Sequence, residues 1–360
     1  MERVNNMKIG ILSMQKVKNY GSFLQAFALK KTIESFGHEV EFVDILPGKQ
    51  LQEYKMTLKW RVIRIMEAYF SFYIIHRRRF WVNYKKTFDS FFDGLGTEKH
   101  TINAYDCVVI GSDEVFNIAQ PATWGYTTHL FGNISNAKKV ISYAGCFGQT
   151  SFDFIQRNNL TESITLALKN MSAISVRDYN SKMIVESLLH IAPSVHIDPV
   201  LFFDFSENIK EKLERNYILI YSYPNRIKDK KVVKAIKTLA KKHNKKILSI
   251  GSFYEWADDV LLPHPFEVLS YFKNADYVIT DTFHGAVMSI KYNKQVVVLV
   301  RDSNRNKIEY LLESVKLKEL IAENYFDIER ILSRQIDYSE TNTVIKNETQ
   351  RSLEYLQVNL

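Results

Sequence analysis

The sequence predicts an α/β protein of two domains, each a doubly wound parallel sheet flanked by helices. Three observations carry this. Short apolar runs alternate with helical stretches from Lys8 to about Asp198, and a second such series begins at Tyr217. The length of 360 residues also exceeds one ordinary hydrophobic core.

In the first series, Lys8–Met14 (KIGILSM) is a β-rich apolar run ending in a polar loop. After Asn19-Tyr20-Gly21-Ser22, residues Leu29, Ile33 and Phe36 recur at i, i+4 and i+7, and Gly37 marks a C-terminal stop. Glu39–Ile45 reads as the second strand, so a right-handed parallel crossover follows. Further buried strands are expected at Tyr105–Ser112, Lys139–Ala144, Ala173–Val176 and Val195–Asp198, with helices over Phe154–Asn170 and Asn180–His190.

The second series runs Tyr217–Ser222, a basic helix, Lys246–Ile250, a short helix near Phe266–Lys273, Tyr277–Thr280, a helix from about Gly285, and Val296–Val300. The expected domains are 1–200 and 201–360, joined near Pro199–Glu207, with the last helices packing back on the N-terminal domain. Residues 51–101 break the alternation and read as a helical insertion rich in basic and aromatic side chains, such as His76-Arg77-Arg78-Arg79. This insertion either touches a membrane surface or a lipid-linked acceptor, or packs on the first domain.

Composition narrows the function classes. Hydrophobic residues make up 46% and charged residues 24%, which is globular and not disordered. The net charge of +8 reflects largely Lys228–Lys246, read as a solvated helix face, and no nucleic-acid motif accompanies it. Cys107 and Cys146 read as small buried hydrophobes, and no Cys/His cluster has metal spacing. The N-terminus lacks the apolar core of a signal peptide, and the apolar stretch at Ala68–Ile75 is too short to span a bilayer. A cytoplasmic location is the expectation.

Four segments at apparent strand ends carry candidate chemistry, since ligands of such sheets bind beyond the carboxyl ends of strands. Asn19, Gly21 and Ser22 open the first helix, where backbone N–H groups favour anions; an ordinary capped turn is the alternative. Ser112 and Asp113 follow the Tyr105 strand and offer a hydroxyl and an acceptor, or simply cap. Arg177 is placed to clamp a carboxylate or phosphate, or to pair with Asp178 at the surface. In Ala275–Gly285 (ADYVITDTFHG), Thr282, His284 and Gly285 follow a buried strand. Histidine exchanges protons near neutral pH; a packed capping cluster is the alternative.

Taken together, KIGILSMQKVKNYGSFLQAF, YDCVVIGSDEVFN, KVISYAGCFG, ISVRDYNSKM, HIDPVLF and ADYVITDTFHGAVMS resemble, in order, the segments of the polysaccharide pyruvyl transferase family. The resemblance implies two Rossmann-like domains facing a cleft, as in the glycosyltransferase architecture called GT-B. It implies phosphoenolpyruvate as donor, not a bound cofactor, and a sugar or lipid-linked oligosaccharide of a surface polysaccharide as acceptor. The expected work site is cytoplasmic, at the inner face of the membrane. By motif position Arg177 would hold the donor and His284 would be the acid/base residue, the two facing each other across the cleft. The family's arginine two residues before the histidine is Thr282 here, so Arg301 or Arg305 is the expected replacement. Two rival readings share the fold. One is a glycosyltransferase using a nucleotide sugar, with Glu267 or Asp276 on the ribose. The other is a sugar-binding relative without catalysis.

Overall fold

The computed structural model of the chain describes residues 6–51, 72–93, 95, 104–119, 124–211, 214–301 and 304–360. Two six-stranded parallel sheets form its frame, ordered β2-β1-β3-β4-β5-β6 and β12-β11-β10-β7-β8-β9. The first contains β1 (Lys8–Leu12), β2 (Glu39–Phe42), β3 (Tyr105–Asp113), β4 (Ala137–Gly145), β5 (Ser175–Val176) and β6 (Ser194–Val195). The second contains β7 (Tyr217–Tyr221), β8 (Lys246–Ile250), β9 (Asp259–Leu261), β10 (Tyr277–Thr280), β11 (Gln295–Leu299) and β12 (Ile321–Ala322). Every residue of β7 is buried, as helices on both faces of a parallel sheet require.

Both strand orders reverse once, at β1/β3 and at β10/β7. Beyond these switch points the helices of a doubly wound sheet diverge and leave a crevice. The sequence sets what fills it. Asn19 caps α1 (Tyr20–Ser35), its Oδ1 accepting from the N–H groups of Gly21 at 2.8 Å and Ser22 at 3.3 Å. Thr282 caps the helix after β10, with Oγ1 accepting from Gly285 N–H at 2.9 Å.

Aromatic packing fixes one half against the other. Phe27 of α1 meets Phe203, Phe205 and Phe266 at centroid distances of 5.8, 6.2 and 4.8 Å, and the Tyr20 hydroxyl donates to the Pro263 carbonyl at 3.0 Å. Removing such buried aromatics from water gives the joint the character of a core. The C-terminal helix Ser339–Asn359 crosses back to the first sheet, where the Tyr355 hydroxyl donates to the Ser142 carbonyl at 2.9 Å.

Several boundaries differ from the sequence reading. The helix expected over Phe154–Asn170 is two helices, Phe152–Arg157 and Thr161–Leu168, because Asn159 turns left-handed at φ 55°. The strands at Ala173–Val176 and Val195–Asp198 shorten to two residues each, and the edge strands β9 and β12 had no sequence signal strong enough to register. Part of the expected insertion, 52–71, 94 and 96–101, lies outside the described residues.

The described helix of that insertion, α2 (Phe72–Asp93), straddles both halves. Tyr84 donates to the Lys18 carbonyl at 2.8 Å and Phe88 packs on Tyr20 at 4.9 Å, while Phe80 meets Phe253 at 5.6 Å and Arg77 donates to Asn225 at 3.1 Å. Packing on the first domain alone is therefore too narrow a description. No helix among the described residues is long and apolar enough to cross a membrane.

Candidate active site

The loops leaving β1, β3, β7 and β10 converge on a cleft of about 620 Å³ between the halves. Asn19, Ser22 and Asp113 line it from the first half, and Thr282 and His284 from the second. Trp81 and Tyr84 from α2 and Trp124 also line it.

His284 is 6% exposed and sits in the first turn of α9 (Phe283–Lys291). Its ring is pressed on the backbone of Gly21. A Cβ built at that glycine would lie 2.1 Å from His284 Cγ, so only glycine lets α1 and α9 approach this closely. On the other side Nε2 stands 3.4 Å from Asp198 Oδ2, within ion-pair reach. Asp198 is 1% exposed; its Oδ1 accepts from Val200 N–H at 3.0 Å and its Oδ2 from Arg177 Nη1 at 2.7 Å. Burial alone would raise the Asp198 carboxyl. The His284 imidazole, the Arg177 guanidinium and the Val200 N–H outweigh it and hold the carboxyl below the usual range. A carboxylate on one ring nitrogen orients the imidazole.

Gly21→Ala is therefore expected to push the imidazole off Asp198. The forced overpacking should cost about 1–3 kcal/mol and lower turnover as well. Denaturant unfolding and a rate assay check this together; an alanine protein with normal stability and rate would contradict the close packing.

Arg177 requires a correction. It meets His284 through Asp198, whose Oδ2 is 2.7 Å from Arg177 Nη1 and 3.4 Å from His284 Nε2, but it does not line the cleft. It is 4% exposed, bound to Asp198, 3.4 Å from Asp113 Oδ1, and stacked under the Phe283 ring at 4.0 Å. A buried guanidinium must be paired, and these carboxylates already pair it. Nor does it pair with Asp178, whose carboxylate caps the helix Tyr179–Leu189 by accepting from Ser181 N–H at 2.8 Å.

The expected replacements at residue 282 also need correction. Arg301 Nε lies 3.2 Å from Asp281 Oδ2, and Arg305 bonds Glu309 at 2.7 Å and Glu323 at 3.3 Å. Neither lines the cleft. Thr282 itself is spent as a helix cap. Ser112 is fully buried, its hydroxyl donating to Gln25 Oε1 at 2.9 Å, so it shapes the loop and does not reach the cleft. Gly285 serves packing: a Cβ there would lie 2.0 Å from Thr280 Oγ1. Asp113, held left-handed at φ 75°, accepts from the Ser22 hydroxyl at 2.7 Å.

Among the described residues four lining cations emerge instead: Lys16, Lys18, Arg226 and Lys307. Lys16 pairs with Asp44, Lys18 with Asp89, and Lys307 with Glu114 across the two halves. Burial alone would raise the Glu114 carboxyl, but Lys307, Asn117 and Arg177 hold it at about 2. A depressed carboxyl stabilises the fold above its unfolded value, about 4.3, and loses that contribution as pH falls towards about 2. Wild type should thus exceed Glu114→Gln in stability by a constant margin at neutral pH. The margin should shrink below about pH 4.3; urea unfolding at several pH values checks it, and a margin that widens in acid would contradict it.

Asp198, Glu114, Arg226 and Lys307 escaped sequence reasoning. Asp198 was read as the end of a strand; it caps the Pro199–Phe202 turn through one oxygen, and its second oxygen meets partners distant in sequence. Arg226 had a usable signal: it follows β7, at the carboxyl end of a strand. Cys107 and Cys146 are buried and free. Among the described residues no group of three or more His, Cys, Asp or Glu could hold a metal ion.

Comparison with known proteins places this geometry. Among solved structures, an S. aureus MnaA–UDP co-structure is similar, with 12% identity over 97% of this chain and 96% of that one, at a TM-score of 0.51. The glycosyltransferase of kitacinnamycin has 9% identity over 99% of this chain and 100% of that one, at a TM-score of 0.50. A mutant of the Thermobaculum terrenum O-GlcNAc transferase has 11% identity and a TM-score of 0.41; 97% of this chain aligns and spans 64% of that one. At such identities the first two show the fold alone, a GT-B-like pair of α/β domains. No curated protein matches the sequence. The family model for polysaccharide pyruvyl transferase matches residues 19–303, from the cap of α1 to just beyond β11. That span holds Asn19, Asp113, Asp198 and His284, and the chain belongs to the polysaccharide pyruvyl transferase family.

Proposed function

We propose that this transferase moves the pyruvyl group of phosphoenolpyruvate onto two hydroxyls of one sugar, forming a ketal, as its family membership suggests. The observation that carries the reading is His284, lining the cleft with Asp198 behind its Nε2. The imidazolium gives its proton to the donor's methylene carbon, which becomes the methyl group, and positive charge develops at the neighbouring carbon. A sugar hydroxyl attacks that carbon and returns its proton to the imidazole. The carbon–oxygen bond to phosphate then breaks, a second hydroxyl closes the ring, and inorganic phosphate and the second hydroxyl's proton leave. Each proton transfer needs a group that can both give and take a proton, and Asp198 Oδ2, 3.4 Å from Nε2, orients the ring for it. The aromatic side chains of Trp81 and Trp124 in the lining suit a sugar.

A sugar or lipid-linked oligosaccharide acceptor, met in the cytoplasm at the inner membrane face, completes the reading. The described helix of the insertion bridges the halves and keeps Arg78 and Arg79 exposed.

Nucleotide-sugar transfer is disfavoured by the fate of its two candidate carboxylates. Glu267 accepts from His264 N–H at 3.1 Å in a capping box, and Asp276 accepts from Tyr217 N–H at 3.0 Å and pairs with Lys245. Neither lines the cleft. Protection against proteolysis separates the readings. Phosphoenolpyruvate should protect the joint between the halves, and nucleotide diphosphate sugars should not; the reverse result would replace this proposal. Phosphate release from phosphoenolpyruvate with an acceptor likewise rejects a purely sugar-binding role.

A further inference from the structure

Asp281 follows β10 with no exposure, and two guanidinium groups face its one carboxylate. Arg301 Nε lies 3.2 Å from its Oδ2, and Arg226 Nη1 lies 3.6 Å from the same oxygen. The cluster thus holds one positive charge more than it balances. Of the two arginines only Arg226 lines the cleft. The other lining cations, Lys16, Lys18 and Lys307, each have a carboxylate of their own.

Arg226 is mounted firmly. Arg301 donates to its backbone carbonyl, and its guanidinium stacks on the Tyr223 ring at 4.5 Å. The loop that carries both hangs from β7 beside the switch point of the second sheet, and Tyr223 N–H ties it to Asp281 Oδ1 at 3.3 Å. Yet among the described residues no hydrogen bond accepts from this guanidinium, and Nη1 is buried without such a partner. A guanidinium presents five donors in a fixed fork, and a buried donor left unmatched costs free energy that an arriving anion recovers.

We propose that Arg226 is a phosphate-binding residue, holding a phosphoryl group in the cleft against the wall built by the second sheet. A doubly charged phosphate gains more from the unbalanced charge than a singly charged carboxylate, and its oxygens match the fork. Two sources bring that group: the donor phosphoenolpyruvate, or the diphosphate of a lipid-linked acceptor. Only the first rests on the function proposed above. Arg301, which stays partly exposed beside the cleft and does not line it, is then a positioning residue.

The test is calorimetric binding of phosphoenolpyruvate and of inorganic pyrophosphate to wild type, Arg226→Ala and Arg226→Lys. Loss of a charge-assisted hydrogen bond corresponds to about 10- to 100-fold, so Arg226→Ala should weaken at least one ligand by that factor. Arg226→Lys keeps a point charge without the fork and should recover part of it. All three proteins should melt alike without ligand. Weakened phosphoenolpyruvate binding assigns the donor as the source, and weakened pyrophosphate binding alone assigns the acceptor. Both ligands binding Arg226→Ala as tightly as wild type would overturn the inference, as would neither binding wild type. If wild type ignores phosphoenolpyruvate but binds pyrophosphate through Arg226, the donor assignment fails while this site stands.

Discussion

Replacing His284 by asparagine is expected to lower phosphate release from phosphoenolpyruvate by about 100- to 10,000-fold, the usual yield of general acid/base work. Asparagine keeps a polar side chain of similar reach but cannot shuttle a proton near neutral pH. The ring it replaces lies between the Gly21 backbone and Asp198, so the loss of volume opens a small gap at one turn of α9. Folding and donor binding should survive, because the aromatic joint around Phe27 and the ion pair between Lys307 and Glu114 do not involve this ring. Melting temperature, donor affinity and phosphate release decide it together. A folded asparagine protein that turns over at the wild-type rate would remove His284 from the chemistry.

The second large effect is on stability. Asp198→Ala should cost about 3–5 kcal/mol, because it leaves the Arg177 guanidinium buried with one carboxylate, Asp113, 3.4 Å away. It also strips the cap from the Pro199–Phe202 turn and the orienting charge from His284, so activity should fall with stability. Asp198→Asn separates the roles: its side-chain oxygen can still accept from Val200 N–H or Arg177, so stability should fall less while activity stays low. The carboxyl is depressed in the fold. Its contribution is therefore complete above about pH 4, the ordinary value for aspartate, and fades as the solution becomes more acidic. Urea unfolding of the three proteins checks the order. An alanine protein as stable as wild type would mean that Arg177 finds another partner.

The reach of the sequence can be judged from these residues. The alternation of strands and helices was legible because parallel strands buried on both faces write continuous apolar runs, as β7 does. Asn19, Asp113, Thr282 and His284 were legible as cleft residues because strand ends in such sheets face the crevice. The roles of the arginines were not. A pairing such as Arg177 with Asp198 depends on loops brought together by the fold, and charge alone does not reveal which guanidinium is consumed by a carboxylate. Arg301 and Arg226 illustrate the point. The first stood nearer the signature segment in sequence, while the second, carried by β7, is the one that reaches the cleft.

The central claim is that the donor sits in this cleft with its methylene carbon beside His284. A crystal structure of the protein soaked with phosphoenolpyruvate measures this most directly. The predicted result is the donor between the Asn19, Asp113 and Thr282 loops, its methylene carbon within about 3–3.5 Å of an imidazole nitrogen. A donor bound elsewhere, or bound in the cleft with that carbon turned away from His284, would contradict it.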